Sequence, residues 1–243
     1  MSESKFTRHE ECPKCGSKDN LGRYSDGHAY CFTSECDYFE PATDTPVTAS
    51  SFTNGTYQKV MVTEMTGVIE AIPDRRLSKE TCSKFGVRIE FDQKGNIAKH
   101  HYPFKDADTG ETVCTKVRIV KDKQFMINGS YGNNLGLFGQ DTCRGRGKFL
   151  TITEGELDCL SVSEMFDRKW DVVSLRTGAA SAAKEIKEQL EWLEGYDNVV
   201  LCFDNDKAGK IAVDSVKDLF SPNKLKVCKL PLKDASDMLM ANK

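Results

Sequence analysis

FLTITEGELDCL, residues 149–160, is the stretch from which the fold of this chain is read. Phe149-Leu150-Thr151-Ile152-Thr153 is apolar and β-branched, the composition of a buried strand. Glu154-Gly155-Glu156 then sets carboxylates and a permissive glycine at the strand's C-terminal end, and Leu157 onward has helical character. Open α/β sheets bind ligands outside the carboxyl ends of their strands. Glu154 is therefore a candidate metal ligand.

Downstream the pattern repeats. A strand over 149–153 precedes a helix near 157–167. A strand over 171–175 precedes a Gly-Ala loop and a helix near 181–194. A strand over 198–203 precedes a helix near 208–219, and a last strand spans 224–230. Such alternation implies right-handed crossovers and a mainly parallel sheet. Every strand ends in polar chemistry: Glu154, Arg176-Thr-Gly-Ala-Ala-Ser181, Asp204-Asn-Asp206 and Lys233-Asp234.

Asp204 and Asp206 follow the apolar run 199–203. Side chains two apart in extended chain point the same way, so the pair can share a Mg²⁺. Glu154 arrives from another strand tip of the same sheet. Three carboxylates gathered there repel one another unless a cation intervenes, and a divalent metal suggests phosphoryl or nucleotidyl transfer. Asp158, one helical turn on, can hold the glutamate or a metal-bound water. Glu156 points away along the turn and is expected to meet only solvent. An N-cap or a solvated loop is the plainer account of an isolated D-x-D. The Arg176 loop feeds a helix N-terminus that suits a phosphate or a nucleic-acid backbone, with simple capping as the alternative. Gly209 permits a close backbone approach.

The N-terminal forty residues are of another kind. Cys12, Cys15, Cys31 and Cys36 form C-x2-C-x15-C-x4-C. Thiolate pairs separated by about a hairpin suit one tetrahedral zinc, which would supply folding free energy that so short a segment lacks. A disulfide pair or unrelated thiols are the alternatives. Between the pairs, residues 22–30 read as two short strands around Asp26-Gly27, with His28 beside the turn as a fifth ligand, a surface residue or a base-reading side chain. Residues 41–57 are rich in Pro, Ser, Thr, Asn and Gly and read as a flexible linker, whose span of about 20 Å lets the module dock and leave.

Over residues 58–147 a helix is expected near 77–86, with Ser78 as N-cap and Gly86 as stop. Alternating stretches follow at 87–91, 100–104 and 112–120, the last carrying Lys116 and Arg118 on one face. Lys121, Lys123 and Phe125 continue this belt. Residues 114–148 hold seven Lys and Arg against two Asp, net +5, although the whole chain of 243 residues is at −3. These cations can hold nucleotide or template phosphates, since such attraction is local; a solvated charged strand is the alternative. No apolar run is long enough to span a bilayer, and residues 1–5 lack a signal peptide's apolar core, so a cytoplasmic protein is expected. The remaining six of ten cysteines then read as small buried hydrophobes.

The order E-G-E-x-D, F-D-x-D-x-A-G and K-D-A resembles the TOPRIM domain of bacterial-type primases, topoisomerases and small nucleases. With the cysteine ribbon, S-D-G-H, R-x-L-S-K-E-T-C and K-V-R…D-K-x-F, residues 12–234 closely resemble the primase half of short-tailed bacteriophage primase–helicases. The fold so implied is α/β: a small β zinc ribbon over 1–40, the linker over 41–57, an α+β subdomain with the basic belt over 58–147, and a mainly parallel TOPRIM domain over 148–243. The resemblance implies DNA-templated synthesis of RNA primers on single-stranded DNA from nucleoside triphosphates, in the cytoplasm of an infected bacterium beside a replicative helicase and a DNA polymerase. It implies that Glu154, Asp158, Asp204, Asp206 and Asp234 form the acidic site with one or two Mg²⁺. It implies that Lys116, Arg118 and Lys123 hold nucleotides, and that Asp26 and His28 contact DNA, with Lys121 and Arg176 as further DNA-binding candidates. No G-x-x-x-x-G-K-[ST] helicase loop occurs. A TOPRIM nuclease and a zinc-ribbon DNA-binding adaptor are the rival functions.

Overall fold

The computed structural model describes residues 6–33, 36, 38–41, 65–129 and 134–242. The linker expected over 41–57 lies, beyond residue 41, outside them. The chain divides into two compact units, Met1–Gln58 and Lys59–Lys243. Among the described residues no helix is long and apolar enough to cross a membrane.

The first unit is a four-stranded antiparallel sheet of β1 (Phe6–Glu10), β2 (Leu21–Tyr24), β3 (Ala29–Cys31) and β4 (Phe39–Glu40), in that order. The Asp-Gly turn joins β2 to β3 as expected. Its buried apolar cluster is Leu21, Ala29 and three of the cysteines, with Tyr38 packed against it. That is too little apolar area to hold a sheet on its own.

The second unit starts with α1 (Lys79–Lys84), capped by Ser78, whose side chain accepts from the Thr81 amide. An antiparallel sheet follows, ordered β5 (Arg88–Phe91), β6 (Ile97–Lys105), β7 (Thr112–Ile119) and β8 (Gln124–Gly129). The expected extension of the belt through Phe125 is instead a reversal: Lys123 takes φ 54 in the turn, and β8 runs back along β7.

The parallel sheet is ordered β10 (Asp171–Ser174), β9 (Gly147–Thr153), β11 (Tyr196–Cys202) and β12 (Leu225–Val227). Between them run α2 (Glu156–Met165), α3 (Ala182–Glu188), α4 (Leu190–Leu193) and α5 (Lys207–Val216), and α6 (Ala235–Met240) closes the chain. The expected helix over 181–194 is broken at Gln189, whose backbone sits at φ −108. The Gln189 amide is buried, donating to Leu135 O and accepting from Gln140, and these tertiary bonds override helical continuity. β12 is shorter than expected: Cys228 still bonds Leu201 O, but the chain departs before Pro231, which has no N–H to give. The closing helix was not foreseen in the sequence.

Successive strand residues serve opposite faces. Val172 packs with Leu160 of α2, Ala235 of α6 and Tyr102 and Phe104 of the antiparallel sheet. Val173 packs with Leu150, Ile186 of α3 and Ala212 of α5. The antiparallel sheet and the parallel sheet therefore share a core, and the boundary expected between residues 147 and 148 falls inside one compact unit. Of the six scattered cysteines, Cys82, Cys114, Cys159 and Cys202 are buried, Cys143 and Cys228 partly so, and all are free thiols.

Candidate active site and metal centres

Register brings the acids together. Thr153 pairs with Cys202 on one side and Ser174 on the other, so three parallel strands end level. Glu154, the Arg176 loop and Asp204 then leave adjacent tips on the same edge. Gly209 lies so close beneath that a Cβ there would stand 2.1 Å from Asp204 O, which makes glycine obligatory at this position.

Two adjoining cavities open over this edge. One, of about 630 Å³, is lined by the acids Glu156, Asp158, Asp204, Asp234 and Asp237 together with Arg75, Arg118, Lys123 and Lys233, the last lying directly against Asp204 and Asp234. The second, of about 530 Å³, is lined by Glu154, Glu156, Asp158 and Asp204, by Lys116 and Arg176, and by Phe125, Ile127 and Gly178. Glu154 Oε2 is buried with no hydrogen-bond partner. Burial pushes the Glu154 carboxyl above the usual range, the Asp204 charge adds to this, and backbone amides of Asp204 and Ala179 oppose it. Burial likewise drives Asp158 up to about 7, with Asp234 adding and the Ser236 amide opposing; that amide donates to Asp158 Oδ1 at 3.0 Å. The unpartnered buried Glu154 oxygen and the Asp204 carboxylate are oxygen donors of the kind a hard divalent cation takes.

Asp206 and Asp234 both act as N-caps. Asp206 Oδ1 accepts from Gly209 N at 2.9 Å and opens α5; Asp234 Oδ1 accepts from Asp237 N at 2.8 Å and opens α6. Asp206 is exposed and lines neither cavity. Among the described residues, the four cysteines are the only group of three or more candidate ligands whose atoms all lie within 4.8 Å of one another.

The expected neglect of Glu156 is corrected. Glu156 is buried, and Lys116 Nζ donates to its Oε1 at 2.7 Å and to Arg176 O at 2.9 Å. The Lys116 ammonium also lies 4.8 Å from the Phe125 ring centre. Lys116 does share its strand with Arg118, but its charge is turned inward, where it neutralises the acid that α2 carries into the core. Arg176, expected at the nucleic-acid surface, is buried too. Its guanidinium donates to Leu135 O at 2.6 Å and pairs with Glu188 and Glu185. Pairing with two carboxylates offsets the cost of taking the guanidinium out of water, so burial of the loop decides its partners. Lys121 is exposed in the β7–β8 turn and lines neither cavity. Arg118 and Lys123 do line the first, and Arg118 Nε is buried without a partner. Arg75 and Lys233 join them unforeseen: Arg75 lies far away in sequence, in a 3-10 turn before α1, and Lys233 was noted only as a strand-end residue.

In the first unit, Sγ atoms of Cys12 and Cys36 are 3.6 Å apart and those of Cys15 and Cys31 are 3.7 Å apart. Four sulfurs at ~2.3 Å from one ion would have edges of about 3.8 Å. The four-residue spacing of the last pair is thus no obstacle to closure. Ser17 and Thr33 hydroxyls lie 3.3 and 3.6 Å from Cys15 Sγ and favour its thiolate, whereas burial pushes Cys36 up to about 12. Four thiols this close lose their protons together only onto a cation. His28 stays outside the sulfur group. Its ring stacks on Tyr24 at 4.2 Å between centroids and is held through Nδ1 by Asp26 Oδ1 at 2.6 Å.

A parallel sheet with this acidic edge defines a class: residues 151–239 match the Toprim-like family. The crystal structure of the primase fragment of bacteriophage T7 primase-helicase protein aligns at 34% identity and TM-score 0.67, covering 98% of this chain and 95% of that one. A DNA helicase/primase of Enterobacteria phage T3 is 34% identical over 244 residues, 97% of this chain and 41% of that protein. The chain spans about two-fifths of that curated relative's length. A structure of T7 lagging-strand DNA polymerase interacting with primase domains of two gp4 subunits, bound to an RNA/DNA hybrid and dTTP, aligns at 36% identity and TM-score 0.65, covering 72% of this chain and 86% of that one. The chain belongs to the primase family of bacteriophage primase–helicases.

Proposed function

We propose that this chain is a DNA primase that copies single-stranded DNA into short RNA primers from nucleoside triphosphates during phage DNA replication. The observation that carries the reading is one cavity lined by both carboxylates and cations. A nucleoside triphosphate needs both: cations for its phosphates and a carboxylate-held metal at the reacting phosphorus. The residues fit magnesium, one or two ions, through Glu154, Asp204 and, after release of its cap, Asp206 or Asp234. Bound there, magnesium supplies charge neutralisation for the attacking and leaving oxygens.

The chain's own groups do the rest. Arg118 and Lys123, with Arg75, bind the triphosphate and orient it. The 3′-oxygen of the priming nucleotide attacks the α-phosphorus, and the bond to pyrophosphate breaks. Asp158, with its acidity near neutrality, takes the 3′-hydroxyl proton. Phe125 and Ile127 offer apolar walls for bases. One structural zinc on Cys12, Cys15, Cys31 and Cys36 holds the ribbon. Asp26 fixes the His28 ring so that the stacked Tyr24–His28 pair reads template bases. Lys121 is an exposed candidate for the DNA backbone. Lys116 and Arg176 act from beneath by positioning the loops. The proposed partners are a replicative helicase and a DNA polymerase in the cytoplasm of the infected cell.

The test supplies single-stranded DNA of varied sequence, labelled nucleoside triphosphates and Mg²⁺. The parent is expected to yield short oligoribonucleotides, and Glu154→Gln to lose at least about a hundredfold in rate. Cys36→Ser should lose start-site preference. Templates cut without any RNA product would overturn the reading in favour of a nuclease.

A further inference from the structure

Lys233 occupies a place that the reading above leaves unexplained. Its Nζ lies 2.9 Å from Asp204 Oδ2 and 3.1 Å from Asp234 Oδ2. The two carboxylates are largely covered, with side chains 17% and 15% exposed, while the Lys233 side chain is 59% exposed. The ammonium therefore reaches over the acids from the solvent side.

Its fixed and movable parts are distinct. Asn205 N donates to Lys233 O at 2.7 Å, which ties the Lys233 loop to the Asp204 loop through the backbone. Asp234 is held by its cap to Asp237 N, and Asp204 by the close packing over Gly209. The lysine stem has no such anchor beyond the two carboxylates.

A magnesium ion on a carboxylate oxygen sits at about 2.0–2.1 Å from it. An ammonium donating to that same oxygen and a divalent cation bound to it are like charges within a few ångströms of each other. They exclude one another by Coulomb repulsion and by sharing one lone-pair direction. Lys233 lines the first cavity together with Arg118 and Lys123.

We propose that Lys233 is a built-in competitor for the divalent cation, holding Asp204 and Asp234 until the ion displaces it, and that the displaced ammonium then binds the triphosphate of the incoming nucleotide. This rests on the reading that Asp204 takes the cation. Metal entry and phosphate binding are thereby linked: a nucleotide that captures Lys233 uncovers the acids, and a metal that captures the acids presents the lysine.

The experiment uses the zinc-loaded full chain without nucleotide. Free Mn²⁺ is followed by its electron paramagnetic resonance signal during titration of the parent, Lys233→Gln, Lys233→Arg and Asp204→Asn. Lys233→Gln is expected to bind Mn²⁺ tighter by about three- to tenfold, while Lys233→Arg stays within about twofold of the parent. In steady-state primer synthesis Lys233→Gln should raise the nucleotide KM by about three- to tenfold. Tighter metal with weaker nucleotide is a pair of opposite changes that general loss of structure does not produce. Mn²⁺ affinity of Lys233→Gln equal to or below the parent's, in a protein where Asp204→Asn weakens it, overturns this inference alone. Mn²⁺ affinity unchanged in Asp204→Asn overturns the metal reading as well.

Discussion

Asp158 lies under the Ser236 amide with its carboxyl driven up to about 7, chiefly by burial. The ordinary value is 3.8, so the folded chain holds this proton more tightly than the unfolded chain does. Its stability contribution is then complete below about pH 4 and is lost as pH rises toward 7. Asp158→Asn is expected to match the parent near pH 4 and to exceed it by about 1–3 kcal/mol at pH 8, in urea midpoints without added magnesium. A difference that does not vary with pH would count against the assignment. The sequence placed Asp158 near Glu154 by helical spacing. It gave no hint of the burial, because the covering residue, Ser236, belongs to a helix 78 positions away.

Among the elements, β7 and α2 meet through Lys116 and Glu156, whose side chains are 13% and 5% exposed. Removing one partner strands the other's charge in the core. Lys116→Met is expected to cost roughly 3–5 kcal/mol, and Lys116→Met with Glu156→Leu to recover most of it, by a double-mutant cycle in urea. A single variant that unfolds at the parent's midpoint would remove the pair from the structure's stabilising contacts. The strand tip makes a second prediction. Gly209→Ala must push Asp204 O away from a Cβ, so primer synthesis should fall at least tenfold while the zinc content stays at the parent's level. The succession of strands and helices over residues 149–227 was legible from alternation alone, but not the strand order in the sheet nor the closing α6. The break at Gln189 and the return of β8 were not legible either, since both answer to contacts remote in sequence.

For the molecule as a whole, the two units rest on different forces. Unit Lys59–Lys243 has apolar cores on both faces of its parallel sheet. Among the described residues, unit Met1–Gln58 buries only Leu21, Ala29 and three cysteines as its apolar cluster, beside a tight group of four thiols. Stripping zinc with a strong chelator is therefore expected to abolish amide protection over residues 6–33 and leave it intact over 147–202, by hydrogen exchange with mass spectrometry. Retained protection in the ribbon would show that its own packing suffices.

The sequence by itself determined the class of fold, the grouping of the four N-terminal cysteines and the chemical character of the strand tips. These follow from periodicity and spacing, which are local and therefore visible along the chain. Tertiary structure alone decided which charges work at the surface. In the sequence Glu156 reads as a solvent group and Lys116 and Arg176 as phosphate-binding cations, whereas the closure of one sheet on the other gives all three buried partners beside the second cavity. Arg75 and Lys233, distant in sequence, are brought to the cavity rim by the same closure. The physical reason is burial. A charge leaves water only where an opposite charge waits, and the partner is found across the fold rather than along the chain.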